Sequence, residues 1–408
     1  MTTSRRDLLK GVGAAAVLAE ISTIRRLAAQ EAEETTRYSV DGSVTYLNHA
    51  SIGTVPRVVQ QAHRGYLELC ETNPWLYMWS EPWVEPREAV RTQAANLLGC
   101  EADELAIVHN TTECFNTLAH GLPLGAGDEV LFSSLNHAGA SVCWSHVAKR
   151  QGFSVRQFDF PLAEIASVTE DWVLERYAEA IGPKTRVLVL PHVDNMVGLR
   201  HPVARIARLA RARGVRWVAV DGAQTVNMIP LDVASLGVDV YATSAHKWTQ
   251  SPKGLGFAYL SRGIQRDLEP MWVTWGQKGS AGSARTYEDY GTRALPAVLA
   301  LGDALEFQAA VPWKEREKHH EHLWSALRQA VESRAGLRWR SPTLWGLSAA
   351  LYSVEVVGGD SAAIARRLFA DHGIVVRAFA TPGLSALRIS PNLANDTEDL
   401  ERLVAALS

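Results

Sequence analysis

Short apolar segments alternate with longer amphipathic segments along most of the chain from about residue 104 onward. Several of the short segments, such as Val187–Leu190, have no polar residue at alternate positions. Strands buried on both faces have this pattern, and strands that alternate with helices form a mostly parallel sheet. The pattern therefore predicts an α/β domain with helices on both faces of the sheet. Its strands are predicted in LAIVHN, EVLFSSLNH, SVRQFDF, RVLVLPHVDN, RWVAVDGAQ, DVYATSAHK and GFAYL.

The pattern changes after Trp313, where a long amphipathic helix precedes a new set of strands and helices. The strands are predicted in LSAALYSVEVV, IVVRAFA and ALRIS, with helices in SAAIARRLFADH and TEDLERLVAAL. This arrangement predicts a second, smaller α/β domain at the C-terminus.

The first residues carry features of an export signal. Ser4-Arg5-Arg6-Asp7-Leu8-Leu9-Lys10 resembles the twin-arginine motif, and an alanine-rich stretch follows it. The small residues around Ala28 and Ala29 offer a cleavage site. We therefore predict a twin-arginine signal peptide, export to the periplasm, and no membrane anchor after cleavage. The alternatives are a cytoplasmic protein whose N-terminus forms an amphipathic helix, or a frayed tail.

Together these patterns predict five regions. They are a signal peptide at 1–29, a linker at 30–43, an N-terminal segment with an aromatic region at 44–100, a large domain at 101–300 and a small domain at 301–408. The aromatic region contains Trp75, Tyr77, Trp79 and Trp83. These side chains are expected either to form the entrance of a site or to pack in a core or dimer interface.

Composition excludes several classes of function. The 408 residues include 47% hydrophobic and 21% charged residues with a formal net charge of −3, so nucleic acid is not an expected partner. The four cysteines have no metal-like or disulfide-framework spacing and are read as buried thiols. His319, His320 and His322 lie together on a helix whose charged neighbours predict a solvated face. No metal site is predicted.

Polar or ionisable residues follow five of the predicted strands. Because the carboxyl ends of parallel strands lie along one edge of a sheet, we expect these residues to surround one ligand. They are Asn110 with Thr111 and Thr112, His137, Asn195, Asp221 with Gln224, and Ser244 with His246 and Lys247.

Each of these residue types suits one part of pyridoxal phosphate (PLP). Two threonines at a helix start, with Ser244 and His246, suit a phosphate, and a histidine ring stacks on a flat heterocycle. A buried carboxylate such as Asp221 holds a proton on a pyridine nitrogen, while Gln224 and Asn195 can bind a phenolate oxygen. Lys247 can form a Schiff base if burial lowers its pKa. The alternative for Lys247 alone is a lysine with a buried stem and a solvated head.

Two rival classes lack their motifs. No strand is followed by the G-x-G-x-x-G of dinucleotide-binding dehydrogenases, and the chain has no G-x-S-x-G of the α/β-hydrolases.

These segments resemble the class V, fold-type I PLP-dependent enzymes, the superfamily of cysteine desulfurases and isopenicillin N epimerase-like proteins. The resemblance covers about residues 44–408, and its most specific part is VDGAQ followed by S-x-H-K. The other segments that carry it are YLNHASIG, HNTTE, NHAGASVCW, PHVDNMVG and DYGT.

The resemblance implies roles for individual residues. Lys247 is the implied Schiff-base lysine, Asp221 the pyridinium partner and His137 the stacking ring, and these three are the catalytic candidates. The implied cofactor contacts are Thr111, Thr112, Asn195, Gln224, Ser244 and His246. Thr292 is implied to reach the phosphate in the neighbouring subunit, which implies a homodimer with shared active sites.

The resemblance also implies where a substrate binds. Arg388 resembles the arginine that holds the substrate α-carboxylate, and Asn48 and His49 are further candidates for substrate contacts. The alternative for Arg388 is a surface strand residue paired with an acid. Arg377 and Arg293 are possible second anion contacts, and Tyr77, Tyr287 or Tyr290 are possible second acids.

One departure separates the chain from the desulfurases, which carry a cysteine on a mobile loop shortly before that arginine. The corresponding stretch here, VVRAFATPGLSALRIS, has none. The sequence GTR at 291–293 and the segment LNHAS resemble the isopenicillin N epimerase-like branch more closely. We therefore expect a PLP-dependent epimerase, aminotransferase or tailoring enzyme acting at the α-carbon of an amino acid, free or within a peptide. The alternatives are a PLP-dependent C–S lyase and a non-catalytic binding protein on the same fold.

Overall fold

The computed structural model describes residues 5–33, 37–79 and 83–407, and the side chains of all of these except residues 5–15, 31–33 and 79. Ser4 of the twin-arginine motif lies outside the described residues, as do the side chains of Arg5 and Arg6. Among the described residues, no helix is both long enough and apolar enough to cross a membrane.

A seven-stranded sheet forms the centre of the large domain. Its strands are β2 (Leu105–Val108), β3 (Glu129–Ser133), β4 (Ser154–Phe158), β5 (Thr185–Pro191), β6 (Trp217–Asp221), β7 (Val240–Ala242) and β8 (Gly256–Leu260). They are ordered β2-β8-β7-β6-β5-β3-β4. Six of the strands run in the same direction, and β8 runs in the opposite direction. The predicted strands are therefore confirmed, and six of them end at the same edge.

Helices cover both faces of this sheet. They are α4 (Val84–Leu98), α5 (Thr111–Gly121), α6 (Ala138–Gln151), α7 (Glu170–Ala180), α8 (Val203–Ala212) and α9 (Leu295–Ala309). Val187 and Val189 of β5 pack into the core on one face, and Leu188 and Leu190 pack into the core on the other. The double burial explains why the strand is apolar at consecutive positions.

The small domain contains a four-stranded antiparallel sheet. Its strands are ordered β12 (Arg377–Thr381), β13 (Leu384–Ile389), β10 (Tyr352–Val356) and β9 (Leu337–Trp339). The helices of this domain are α10 (Trp313–Glu332), α11 (Ser361–His372) and α12 (Thr397–Ala406). The short strands β1 (Thr45–Tyr46) and β11 (Ile374–Val375) pair in parallel, so the segment before the large domain is joined to the small domain. The fold is α/β with a small C-terminal domain, as predicted.

The N-terminal helices form a further packed layer. They are α1 (Arg5–Glu33), α2 (Arg57–Thr72) and α3 (Pro74–Trp79). Val17, Ile21 and Ala28 of α1 are buried in an apolar cluster with residues of α2 and α9. Arg25 of α1 forms an ion pair of 2.9 Å with the buried Asp303 of α9. The region from Val17 to Ala28 therefore packs against the large domain.

The prediction of a solvated face for the histidines of α10 is wrong in one respect. His322 is exposed, but His320 is buried and its ring lies edge-on to Trp248, with 6.3 Å between ring centroids. Within the described part of the chain, no group of three or more metal-binding side chains is positioned to hold an ion.

Candidate active site

The five predicted strand ends meet at one cavity of about 560 Å³. Its walls come from both domains, because residues of β12 and β13 in the small domain line it together with residues at the edge of the large sheet. The predicted residues that line it are Asn110, Thr111, Thr112, His137, Asn195, Asp221, Gln224, Ser244, His246, Lys247, Arg377 and Arg388.

Lys247 lies in the turn between β7 and β8. Burial lowers the pKa of Lys247 to about 8, although the carboxylate of Asp221 opposes this shift. The backbone around it is tightly packed, since a Cβ atom on Gly53 would lie 1.9 Å from the carbonyl oxygen of Lys247. An amine with this pKa is partly unprotonated near neutral pH, as a nucleophile that attacks a carbonyl must be.

Asp221 and Gln224 lie at the end of β6. Both are buried, and Asp221 Oδ1 accepts a hydrogen bond of 2.9 Å from the backbone N–H of Ala223. The amide of Gln224 donates to the carbonyl oxygen of Ala50 at 2.9 Å and accepts from the indole N–H of Trp248 at 2.8 Å. A rigidly held carboxylate and an amide therefore face the cavity beside Lys247.

The N-terminus of α5 forms the anion-binding end of the cavity. Asn110 caps the helix, because its side-chain oxygen accepts a hydrogen bond of 3.0 Å from the backbone N–H of Glu113. Thr111 and Thr112 are therefore the first two residues of the helix. Ser244 Oγ lies 3.2 Å from the backbone nitrogen of Thr111 and 2.9 Å from its hydroxyl oxygen. Hydroxyl groups and backbone N–H groups at a helix start suit a phosphate.

His137 caps the N-terminus of α6 and lines the cavity. Its Nδ1 accepts from the backbone N–H of Gly139 at 3.1 Å, so a neutral ring carries its proton on Nε2. Loss of hydration in the cavity lowers the pKa of His137, against the opposing effect of Asp221. Gly139 keeps this space open, because a Cβ atom there would lie 2.5 Å from Thr112 Oγ1.

Arg388 supplies a buried positive charge from β13. Its guanidinium donates to the carbonyl oxygen of Asn195 at 2.9 Å, to Asn48 Oδ1 at 2.8 Å and to Ser51 Oγ. Its Nε is buried and has no hydrogen-bond partner among the described residues. Burial lowers the pKa of Arg388, and the nearby Arg377 lowers it further. A buried guanidinium that lines a cavity is a site for a carboxylate.

Several predicted residues lie outside this cavity. Thr292 and Arg293 line a different cavity of about 660 Å³ together with Trp83. His49 is buried against the carbonyl oxygen of Ser390 and the hydroxyl of Thr54, and Asn48 reaches the site only through Arg388.

The three candidate second acids also lie elsewhere. Tyr77 bonds to Glu20, Tyr287 bonds to backbone carbonyls, and Tyr290 packs against the ring of His109. Tyr77 and Trp83 belong to the core cluster that includes residues of α1. For these two residues the structure therefore shows core packing and not the entrance of a site. Trp75 is 74% exposed, and the side chain of Trp79 lies outside the described residues.

Sequence reasoning did not find Ser51 and Phe379, which line the cavity. Phe379 lies beneath the guanidinium of Arg388, 5.6 Å from its carbon to the ring centroid. The sequence could have predicted Phe379, because it lies two residues after Arg377 on β12 and alternate residues of a strand share one face.

The residues present fit PLP. The helix start with Ser244 suits the phosphate, His137 the ring face, Asp221 the pyridine nitrogen and Lys247 the aldehyde carbon. A parallel sheet with this set at its carboxyl edge, together with a small domain that carries Arg388, defines a fold-type I PLP-dependent enzyme.

Comparisons with known proteins agree with this class. Residues 45–403 match the family Aminotransferase class-V, and the chain belongs to this family. It is 32% identical to the isopenicillin N epimerase of Amycolatopsis lactamdurans, over 90% of this chain and 96% of that protein. It is 30% identical to a probable cysteine desulfurase of Pseudomonas aeruginosa, over 89% and 93% of the two chains.

Solved structures show the same fold and cofactor. A mutant of the protein C-DES with glycine covalently linked to its PLP cofactor has a TM-score of 0.80 and 25% identity, with 91% and 98% of the two chains covered. The cystine C–S lyase C-DES in complex with cysteine persulfide has the same TM-score and identity, with 90% and 97% covered. The protein is a PLP-dependent enzyme of class V.

The segment that departs from the desulfurases is a regular hairpin. Five residue pairs join β12 to β13, from Arg377 opposite Arg388 to Thr381 opposite Leu384. None of the four cysteines lines the cavity, and burial raises the pKa of each thiol. The site therefore has no cysteine nucleophile in this chain.

Proposed function

We propose that the protein changes bonds at the α-carbon of an amino acid whose carboxylate binds Arg388, with epimerisation as the reaction. The buried guanidinium of Arg388, which lines the same cavity as Lys247, carries this proposal. Similarity to isopenicillin N epimerase supports epimerisation, and the missing cysteine argues against persulfide formation. A non-catalytic role leaves unexplained why a lysine of lowered pKa and a buried arginine line one cavity.

Bound PLP supplies an electron sink for the negative charge that forms at the α-carbon. Lys247 removes the proton from one face of the α-carbon, since its amine is partly unprotonated near neutral pH, and inversion requires that a donor on the opposite face return a proton. Arg388 holds the carboxylate and so orients the α-carbon toward Lys247, while the nearby exposed Arg377 binds a second anionic group of a larger substrate. The cavity of about 560 Å³ leaves room for a peptide-borne amino acid.

The test is incubation of the enzyme with amino-acid and peptide pools in deuterated water, followed by mass spectrometry. Deuterium at the α-carbon of an otherwise unchanged substrate, with inversion of configuration at that carbon, is the expected result. A keto product would indicate transamination instead, and no change in any pool would overturn the proposal.

A second candidate is C–S lyase chemistry, favoured by similarity to the cystine C–S lyase C-DES. Such a reaction requires a substrate with a sulfur leaving group on the β-carbon. It does not require a cysteine nucleophile in the enzyme. Formation of cysteine persulfide, pyruvate and ammonia from cystine in the same assay would favour it over epimerisation.

We propose a homodimer in which Thr292 of each subunit reaches the phosphate bound by its partner. Thr292 lies outside the cavity of its own chain, and the preceding segment exposes Trp272, Val273 and Trp275 at 46%, 85% and 82%. Large apolar exposure of this kind marks interfaces. Sedimentation should give twice the monomer mass, and Thr292→Val should weaken PLP binding. A monomer that retains full PLP affinity would refute this assembly.

We also propose export to the periplasm through the twin-arginine route, on the strength of the motif at residues 4–10. Cleavage after Ala29 would remove Val17, Ile21 and Arg25 from their contacts with α2 and α9. Fractionation of cells and N-terminal sequencing of the periplasmic protein test the proposal. A full-length protein found only in the cytoplasm, unchanged when Arg5 and Arg6 are replaced by lysine, would overturn it.

A further inference from the structure

The side-chain amide of Gln224 is held between two groups of opposite hydrogen-bonding character. The indole N–H of Trp248 donates to Oε1 at 2.8 Å, and Nε2 donates to the carbonyl oxygen of Ala50 at 2.9 Å. An indole nitrogen can only donate and a backbone carbonyl can only accept. The reversed orientation would place donor against donor and acceptor against acceptor, so these two partners determine which way the amide points.

This orientation leaves one N–H of Gln224 uncommitted. The residue lines the cavity beside Asp221 and Lys247. We propose that Trp248 is a positioning residue, which holds Gln224 so that its free N–H is available to the negatively charged ring oxygen of PLP. The inference rests on PLP binding in this cavity and adds a residue that does not itself touch the cofactor.

Trp248 is itself rigidly placed. Its side chain is 1% exposed and packs in an apolar cluster with Ala50, Met228, Ile229 and Leu351. Its ring has one polar atom, and that atom is the one bonded to Gln224. An indole fixed by packing on all sides restricts the amide more strongly than a mobile donor would.

The same contacts connect the lysine turn to the substrate side of the cavity. Trp248 directly follows Lys247 in the chain, and Gln224 ties it to the carbonyl of Ala50. The next residue, Ser51, accepts a hydrogen bond from Arg388. One chain of hydrogen bonds and adjacent residues therefore runs from the Schiff-base lysine to the carboxylate site.

The substitution Trp248→Phe removes the N–H and keeps an aromatic ring in the cluster. Without its donor, Gln224 can turn and present Oε1 in place of an N–H. A hydrogen bond to a charged oxygen favours the deprotonated form, so its loss favours the protonated one. The pH at which the visible band of bound PLP titrates should therefore rise, by about half to one pH unit, the size expected when one hydrogen bond weakens.

The experiment compares the holoenzyme with four variants: Trp248→Phe, Gln224→Leu, the double variant, and Trp324→Phe as a matched control. Trp324 is also a buried tryptophan, but it lies in the small-domain core and its Nε1 has no partner among the described residues. Each variant is titrated by visible absorption, and its PLP dissociation constant is measured. Thermal melting confirms that each is folded.

The first two variants should both raise the titration midpoint, and Trp324→Phe should leave it unchanged. In the double variant, Trp248→Phe should add nothing to the effect of Gln224→Leu, because Trp248 acts through Gln224. Additive shifts, or no shift with Trp248→Phe, would overturn the inference. If the phenylalanine variant does not fold, 3-benzothienylalanine at position 248 removes only the N–H. A wild-type protein that binds no PLP would refute the proposed function instead.

Discussion

Replacing Arg388 by alanine tests the carboxylate site most directly. Arg388 is 3% exposed and lines the cavity, so a bound carboxylate would meet a charge with little competing water. Removing one member of a buried, hydrogen-bonded charge pair costs about 2–5 kcal/mol. At about 1.4 kcal/mol per factor of ten, kcat/KM should fall roughly 30- to 3,000-fold.

The loss should appear in substrate binding and not in cofactor binding. Arg388 bonds to Asn195, Asn48 and Ser51, and none of these contacts involves the phosphate end of the cavity. The visible absorption and the PLP dissociation constant should therefore stay close to those of the wild type. Arg388→Lys should lose less than alanine, because it keeps the charge but not the two-pronged geometry of the guanidinium.

Arg377→Ala is the matched control. Arg377 lies directly opposite Arg388 in the β12–β13 pairing and lines the same cavity, but its side chain is exposed. Its loss should lower kcat/KM by about tenfold or less, in keeping with the small free energies of exposed charge pairs. Steady-state kinetics of deuterium incorporation at the α-carbon measure both variants. Unchanged kcat/KM in Arg388→Ala, or a larger loss in Arg377→Ala, would refute the assignment of the carboxylate to Arg388.

Three further predictions concern the pKa of the cofactor lysine, the packing of Gly53 against it, and the ion pair between α1 and α9. Because burial lowers the pKa of Lys247 to about 8, uptake of PLP by the apoenzyme, followed by stopped-flow absorption, should accelerate as the pH rises through about 8; a pH-independent rate would contradict this. Gly53→Ala, which would place a Cβ atom 1.9 Å from a backbone oxygen, should lower stability in urea by about 1–3 kcal/mol, whereas Gly42→Ala, with open space, should change it little. In the uncleaved chain, Arg25→Ala should lower stability by about 1 kcal/mol, because the buried Asp303 loses its ion-pair partner but keeps its hydrogen bond from Tyr66, and Arg25 itself is partly exposed; equal urea midpoints would show that α1 adds nothing through this pair.

The sequence was sufficient to predict the large sheet and the residues at its edge. Five strands of this sheet are apolar at consecutive positions and are followed within a few residues by a functional group, as β6 is by Asp221 and Gln224. Parallel strands bring their carboxyl ends to one edge whatever their order in the sheet. The grouping of Thr111, Asp221 and Lys247 therefore needed only local patterns and one rule of topology.

The segments outside the sheet were harder to place. Tyr77 and Trp83 read equally well as an entrance or a core, and packing against α1, α2 and α9 put them in a core. His320 has charged neighbours along the chain, yet its face of α10 is buried against Trp248. Helical periodicity predicts which residues share a face but not what covers that face.

Local patterns thus determined the α/β class, the strand ends and the choice of PLP as cofactor, because those features depend on residues close together in the chain. Only the tertiary structure decided that Arg388 meets Asn48 across 340 positions, that Thr292 lies outside the cavity of its own chain, and that Trp248 orients Gln224. These contacts join segments far apart in sequence. The packing of the two domains and their helices determines which residues become hydrogen-bond partners at that separation. A short sequence pattern does not contain this information.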